Sequence, residues 1–155
     1  MTNIKMVVLD MAGTTVNEDN LVYKTVQKII NQEGFEVTLN EVLEHGAGKE
    51  KYKAITDVLT ACTNEKDIET VAGRAFENFK TALEKAYDET EISTFEGMEA
   101  FFETLKRQGV KVVLNTGYDF KTANKLMGKL NWFVGQQVDA LITSDDVLNG
   151  RPHPD

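Results

Sequence analysis

The sequence predicts an α/β fold in which a parallel β-sheet is interrupted by an inserted bundle of helices. Three short segments, 4–10, 110–116 and 139–144, are rich in Val, Leu and Ile and show no strict polar alternation. Such near-continuous apolar runs are typical of parallel strands that are covered on both faces. A long stretch of helical pattern separates the first two runs, although one crossover connection needs only about a dozen residues. The extra length predicts the inserted bundle.

The helical insert begins after the first strand and ends where the chain returns to the sheet. We expect the sheet core to comprise 1–16 and 93–155, and the helical insert to comprise 17–92. A helix over 96–108 then supplies the ordinary crossover to the second strand. The last strand is followed by a loop of turn-forming residues, "NGRPHPD". Three strands make a thin sheet with two edges to cover, so we expect the core within these 155 residues to be incomplete.

Four apolar stripes with the i, i+3, i+4 spacing of amphipathic helices precede the second strand. They comprise Val22, Val26, Ile29 and Ile30; Ile55, Val58, Leu59 and Cys62; Ile68, Val71, Ala75, Phe76, Phe79 and Leu83; and Met98, Phe101, Phe102 and Leu105. Helix starts and stops are marked by capping-box pairs and by glycines, which are Thr38 with Glu41, Ser93 with Glu96, Gly34, and Gly109. We expect the Phe and Met side chains of these stripes to pack in the core.

The composition excludes several classes of partner. Acidic residues outnumber basic ones, 25 to 17, and the net charge of −8 argues against nucleic acid, because a phosphate backbone needs a basic face. No segment approaches the ~20 apolar residues of a membrane-spanning helix, and no signal-peptide pattern precedes the first strand. Cys62 is the one cysteine, so no disulfide can form within the chain and we expect a reducing, cytoplasmic location. The sequence leaves the oligomeric state open, with a homodimer as one candidate.

The first strand ends on a carboxylate, Asp10, within "VVLDMAGTTV". The carboxyl ends of parallel strands are where α/β sheets place their chemistry. A carboxylate is ionised at neutral pH, so it can attack phosphorus without a helper base, and it can also bind a metal ion. The backbone N–H groups of Met11, Ala12, Gly13 and Thr14 could form a nest for an anion. The alternative is that Asp10 only caps the next helix.

Three short motifs carry a resemblance to one protein family. The motifs "DMAGTTV" (10–16), "LNTG" (114–117) and "GRPHPD" (150–155) follow in order, each at or just beyond a predicted strand end. They resemble the motifs of the haloacid dehalogenase-like hydrolases, and more narrowly those of the phosphonatase branch. The helical insert lies where that family carries a helical cap, so the resemblance spans the whole chain. It implies a Rossmann-like sheet core with a cap domain.

The resemblance implies a role for each matching residue. Asp10 would be the nucleophile that forms an aspartyl-phosphate or its phosphonate-derived equivalent, and it would hold Mg²⁺ together with the backbone carbonyl of Ala12. The residues expected to bind the phosphoryl group of a small phosphorylated or phosphonate substrate are Gly13, Thr14, Thr116, Gly117 and Arg151. The family's fourth motif, which supplies further acids to the metal, is not found before Asp155. We therefore expect the 155-residue chain alone to bind Mg²⁺ poorly and to turn over little substrate.

Position 12 and a lysine of the insert resemble the phosphonatase branch in particular. Phosphatases of the family usually carry Asp where Ala12 stands here, and that Asp acts as general acid, whereas the phosphonatase branch has Ala. In that branch a cap lysine forms an imine with an aldehyde substrate, and Lys49 is the matching residue. Gly46 also matches, whereas His45 and Tyr52 replace the Met and His of the branch. The alternative for Lys49 is a solvated face, since it belongs to a run of lysines.

The sequence leaves several functions open. The first is a Mg²⁺-dependent hydrolase that cleaves the C–P bond of a phosphonoaldehyde through Lys49. The second is hydrolysis of phosphate monoesters, and the third is a non-catalytic fragment that binds a phosphorylated ligand. A dehalogenase ranks last, because Thr116 and the Gly–Thr turn suit phosphoryl oxygens better than a halide.

Overall fold

The computed structural model describes residues 4–149. Its strands are β1 (Met6–Asp10), β2 (Val16–Asn17), β3 (Ser93–Thr94), β4 (Lys111–Asn115) and β5 (Ala140–Ile142). Its helices are α1 (Leu21–Gln32), α2 (Leu39–Gly46), α3 (Lys51–Cys62), α4 (Ile68–Glu89), α5 (Met98–Arg107) and α6 (Phe120–Lys129), with a 3-10 helix at Ser144–Asp146. The chain forms two compact units, one made of residues up to Asp19 and from Glu91 onward, the other of Asn20–Thr90. The role of the second unit as a cap stays a prediction.

The main sheet of the first unit has three parallel strands in the order β1–β4–β5. Its register places Asp10 opposite Asn115, and Asn115 opposite Ile142, so the three strands end at the same edge. A second, antiparallel sheet pairs Val16 of β2 with Thr94 of β3. A parallel sheet combined with helices is the α/β fold class that the sequence predicts, and that prediction is confirmed.

Burial differs between the strands of the main sheet. β4 lies between two neighbouring strands, and its residues Val112, Val113 and Leu114 are buried. Within the described part of the chain β1 pairs with β4 alone, and it exposes Met6 by 53% and Val8 by 52%. The expectation that every strand is covered on both faces is therefore wrong for β1, because residues 4–149 place no layer against its outer face.

The predicted capping box of Ser93 and Glu96 is wrong. Ser93 belongs to β3, where it pairs with β2. The helix α5 begins only at Met98, after Gly97, whose φ is 81°. The strand pairing keeps this segment extended, and a pattern of capping residues cannot reveal a partner that is distant in the sequence.

The two helices of the first unit differ in how far the sequence predicts them. In α5, Phe102 is buried and its ring lies edge-on to Trp132 at 5.1 Å between centroids, whereas Phe101 is 43% exposed. The expected core stripe of α5 is thus only partly correct. The predicted apolar stripes include none on α6, although Asp119 caps the start of this helix by accepting a hydrogen bond from Thr122 N at 2.7 Å.

The second unit is a bundle of the helices α1 to α4. Three of the predicted apolar stripes lie on α1, α3 and α4, and their buried members include Val26, Ile30, Ile55, Leu59 and Phe79. The helix α2 starts with the predicted capping box, in which Glu41 N donates to Thr38 Oγ1 at 3.2 Å and Thr38 N donates to Glu41 Oε2 at 2.7 Å. No helix among residues 4–149 combines the length and the apolar character needed to cross a membrane.

Candidate active site

The candidate site begins with Asp10, the last residue of β1. Its neighbour across the sheet is Asn115, the last residue of β4, and Thr116 follows directly. Asp10 is half-buried, and Thr116 is buried. Adjacent parallel strands therefore bring the predicted nucleophile and a predicted phosphoryl-binding hydroxyl to the same edge of the sheet.

The loop after Asp10 folds tightly around the carbonyl of Met11. That oxygen accepts hydrogen bonds from Thr14 N at 3.1 Å, Thr15 N at 2.9 Å and Val16 N at 2.8 Å. Gly13 adopts a φ of 74°, a left-handed conformation that suits glycine, and its N–H donates to Val16 O at 2.9 Å. Gly13 and Thr14 belong to the predicted anion nest, and their N–H groups already have acceptors within the loop. Their role in binding a phosphoryl group stays a prediction.

The loop after β4 presents Thr116 and Gly117. Thr116 N donates to Ile142 O at 2.9 Å, which anchors the start of the loop to β5. The Thr116 hydroxyl oxygen accepts from Tyr118 N at 3.2 Å, and a hydroxyl that accepts one bond can still donate its proton to another group. A methyl group placed on Gly117 would meet no described atom within 4 Å. The space above Gly117 can therefore admit a ligand.

Two further predicted roles concern a metal and a cation. The carboxylate of Asp10 and the carbonyl of Ala12 are hard oxygen donors of the kind that Mg²⁺ prefers. Residues 4–149 contain no group of three or more His, Cys, Asp or Glu side chains placed to hold a metal ion. The two oxygens thus fit part of a Mg²⁺ site rather than a whole one. Arg151, the predicted phosphoryl-binding cation, lies outside the described residues.

Lys49, the predicted imine lysine, lies in the second unit between α2 and α3. The connecting loop turns at Gly48, which has a φ of 76° and whose N–H donates to the hydroxyl of Tyr23 at 3.0 Å. Lys49 Nζ lies 2.6 Å from Asp57 Oδ2, and Lys53 Nζ lies 2.5 Å from Asp57 Oδ1. One carboxylate therefore holds two lysines.

The two lysines act on the acid between them. Hydrogen bonds from Lys49 and then from Lys53 lower the pKa of Asp57 below its ordinary value. Asp57 therefore stays ionised at neutral pH, and its carboxylate holds the side-chain nitrogens of both lysines in ion pairs. Sequence reasoning missed the pair of Lys49 and Asp57, because Lys49 precedes α3 and the helical i, i+4 signal joins Asp57 to Lys53 instead.

Comparison with known proteins shows what the chain is similar to. The model of the haloacid dehalogenase-like hydrolase family matches residues 4–155. A phosphonoacetaldehyde hydrolase from Bacillus cereus (strain G9842) is 29% identical over 160 residues, which cover 97% of this chain and 60% of the relative. Another from Bacillus cereus is 27% identical over 164 residues, again covering 97% of this chain and 60% of the relative. The chain therefore spans less than two thirds of the length of these relatives.

Solved structures share the fold at lower identity. A hydrolase from Pseudomonas syringae gives a TM-score of 0.72 at 20% identity, and the match covers 99% of this chain and 66% of that one. CbbY from Rhodobacter sphaeroides, solved in complex with xylulose-(1,5)bisphosphate, gives 0.67 at 17% identity and covers 98% and 68% of the two chains. At these identities the likeness establishes the fold alone.

Proposed function

Because the chain belongs to the haloacid dehalogenase-like hydrolases, we propose that the whole protein is a Mg²⁺-dependent hydrolase of the phosphonatase-like group, with Asp10 as nucleophile. The observation that carries this proposal is the register of β1 and β4, which brings Asp10 and Thr116 to the carboxyl edge of adjacent strands. The substrate is a small compound with a phosphoryl or phosphonyl group. The proposal concerns the whole protein, since the chain spans only 60% of its relatives' length.

The proposed reaction is a displacement at phosphorus. A carboxylate oxygen of Asp10 forms a bond to phosphorus while the bond to the leaving group breaks, and water then releases phosphate from the aspartyl-phosphate. The Thr116 hydroxyl donates a hydrogen bond to a phosphoryl oxygen, and Arg151 pairs with its negative charge. Mg²⁺ held by Asp10 and the Ala12 carbonyl would offset the repulsion between the two anions.

Ala12 favours a leaving group that needs no proton from that position. A methyl side chain cannot act as general acid, so an alcohol would have to leave without help from residue 12. In the first candidate reaction, Lys49 forms an imine with a phosphonoaldehyde. The protonated imine accepts the electron pair that the breaking C–P bond releases, and the resulting enamine is protonated at carbon and then hydrolysed, which releases the aldehyde product and the free lysine. The relatives named phosphonoacetaldehyde hydrolase support this candidate.

The ion pair of Lys49 favours a second candidate, hydrolysis of phosphate monoesters. An amine that attacks an aldehyde must be free to approach the carbonyl carbon, and Lys49 Nζ is held in an ion pair with Asp57 at 2.6 Å. Held in this way, Lys49 would bind an anionic group of the substrate instead of attacking a carbonyl carbon.

One experiment on the full-length protein separates the two candidates. Release of phosphate is measured with phosphonoacetaldehyde and with a panel of phosphate monoesters. We expect Asp10→Asn to lower kcat for either substrate about ten-thousandfold or more, since the nucleophile is lost. Lys49→Ala should abolish C–P cleavage, whereas the matched variant Lys53→Ala, which removes the other partner of Asp57, should retain it. C–P cleavage that survives in Lys49→Ala would exclude the imine, and phosphate binding without turnover would support a non-catalytic role.

A further inference from the structure

We propose that Asp145 is a positioning residue that fastens the start of α6 to the turn after β5 and so holds the preceding loop, which carries Thr116, at the phosphoryl-binding edge. This inference rests on the proposed function of that edge. The loop after β4 comprises 116–119, carries Thr116, the predicted phosphoryl-binding hydroxyl, and leads into α6. The turn after β5 comprises 143–146 and carries Asp145.

Three hydrogen bonds join the segment from Thr116 to Phe120 to β5 and the turn that follows it. Thr116 N donates to Ile142 O at 2.9 Å, and Ser144 N donates to Tyr118 O at 2.9 Å. The third is the carboxylate contact, in which Phe120 N donates to Asp145 Oδ2 at 2.9 Å. The first two bonds use backbone atoms of both partners, whereas the third depends on the side chain at position 145. The bond to Asp145 is therefore the one of these three hydrogen bonds that a side-chain substitution can remove without altering the backbone.

The turn that carries Asp145 is itself fixed. Asp146 closes it by accepting from Thr143 N at 2.8 Å and from Thr143 Oγ1 at 2.8 Å. These bonds also lower the pKa of Asp146. Asp145 thus projects from a closed turn, and its carboxylate reaches the first residue of α6, where a negative charge is favourable.

The helix α6 has an N-cap of its own, so Asp145 is not needed to start it. Asp119 accepts from Thr122 N at 2.7 Å within the same segment. The contact of Asp145 joins residues 25 positions apart in the sequence. Its effect should therefore appear in the spacing of the loops and only secondarily in the stability of α6.

The chain offers a matched control at the opposite end of the same strand pair. Asp139, just before β5, accepts from Val112 N of β4 through Oδ2 at 2.9 Å. Like Asp145, it is a carboxylate next to β5 that accepts a hydrogen bond from a backbone N–H of a distant segment, here from β4. It differs in lying at the amino end of the strands, away from Thr116.

The test measures binding of inorganic phosphate to the protein in the presence of Mg²⁺, by calorimetric titration, together with hydrogen exchange of the amides of Phe120 and Ser144. We expect Asp145→Ala to weaken phosphate binding about three- to tenfold and to speed exchange at both amides, since a hydrogen bond to a surface carboxylate is lost. Asp145→Asn should show a smaller loss, because the amide oxygen still accepts a hydrogen bond. Asp139→Ala should lower the midpoint of thermal unfolding and leave the phosphate affinity unchanged.

The outcomes separate this inference from the proposed function. Phosphate binding that is equally strong in the wild-type protein and in Asp145→Ala overturns the inference alone. Equal weakening in Asp145→Ala and Asp139→Ala also overturns it, because the effect would then be one of general stability. Absence of phosphate binding in the wild-type protein refutes the proposed function first, and the inference falls with it.

Discussion

At the scale of single residues, the chemistry of each predicted site residue depends on the side chains that lie beside it. Asp10 and Thr116 are neighbours because β1 and β4 are paired in parallel, and both residues were predicted from motif and strand pattern. The partner of Lys49 was not predicted. Asp57 reaches Lys49 only because the loop after α2 folds back toward α3, and no sequence periodicity encodes the path of a loop.

Substitution of Asp57 tests whether its charge restrains Lys49. We expect Asp57→Asn to increase borohydride trapping of a small aldehyde on Lys49 several-fold near neutral pH, because loss of the carboxylate releases Lys49 Nζ from its ion pair and frees the amine to attack. Mass spectrometry of the peptide that contains Lys49 measures the adduct. Glu77→Gln, which removes the partner of Lys80 in another ion pair of the same unit, serves as control and should leave trapping unchanged. Equal trapping in the wild-type protein and in Asp57→Asn would contradict the proposed restraint.

Gly117 allows a separate test of the space beside Thr116. An added methyl group meets no described atom within 4 Å, so we expect Gly117→Ala to change the free energy of unfolding by less than about 0.5 kcal/mol. If a phosphoryl group binds there, the methyl group should raise KM at least about fivefold, since it occupies ligand space. Urea unfolding and steady-state kinetics on the full-length protein measure the two quantities. An unchanged KM would place the phosphoryl group elsewhere.

At the scale of elements, the sequence predicts strands and amphipathic helices better than it predicts their partners. The parallel strands and the stripes of α1, α3 and α4 follow from local apolar patterns, and the structure contains them. The capping box of Ser93 and Glu96 fails because β3 pairs with the distant β2. A local sequence pattern cannot predict the exposure of β1 for a similar reason, since burial depends on what packs against the strand.

The ion pairs of Asp57, a residue of α3, should make the free energy of unfolding depend on pH. Lys49 and Lys53 lower the pKa of Asp57, so its contribution to stability is present above its ordinary pKa, near 4, and is lost as the pH falls through the folded value. Below about pH 4 the wild-type protein should lose unfolding free energy, and Asp57→Asn should lose less. We expect the difference to be no more than about 1 kcal/mol, because the pair lies near the surface. Urea unfolding at several pH values measures this loss. Identical acid profiles for the two proteins would contradict the assignment.

At the scale of the whole molecule, the chain divides into two compact units, each with buried side chains of its own. Length and the spacing of the apolar runs predicted an insert, since a hundred or so residues far exceed one crossover. Residues 4–149 leave Met6 and Val8 of β1 exposed, and the chain spans 60% of the length of its curated relatives. The experiments on activity are therefore designed for the whole protein.

The second unit should fold when it is excised. Residues 20–90 bury apolar faces of α1, α3 and α4 against one another, so we expect this segment alone to show a helical circular dichroism spectrum and a cooperative thermal transition. Substituting Leu59, which is fully buried, by Ala should lower its stability by about 2–5 kcal/mol. A non-cooperative or coil-like spectrum for the excised segment would show that the unit depends on the rest of the chain.

The most direct test of the mechanism is to find where the phosphoryl group goes. The full-length protein is mixed with substrate and Mg²⁺, quenched in acid within one turnover, and digested for mass spectrometry. The mechanism predicts a phosphorylated peptide that contains Asp10 and that is missing from Asp10→Asn. Phosphate release by Asp10→Asn at the rate of the wild-type protein, or a phosphoryl group on a different residue, would contradict it.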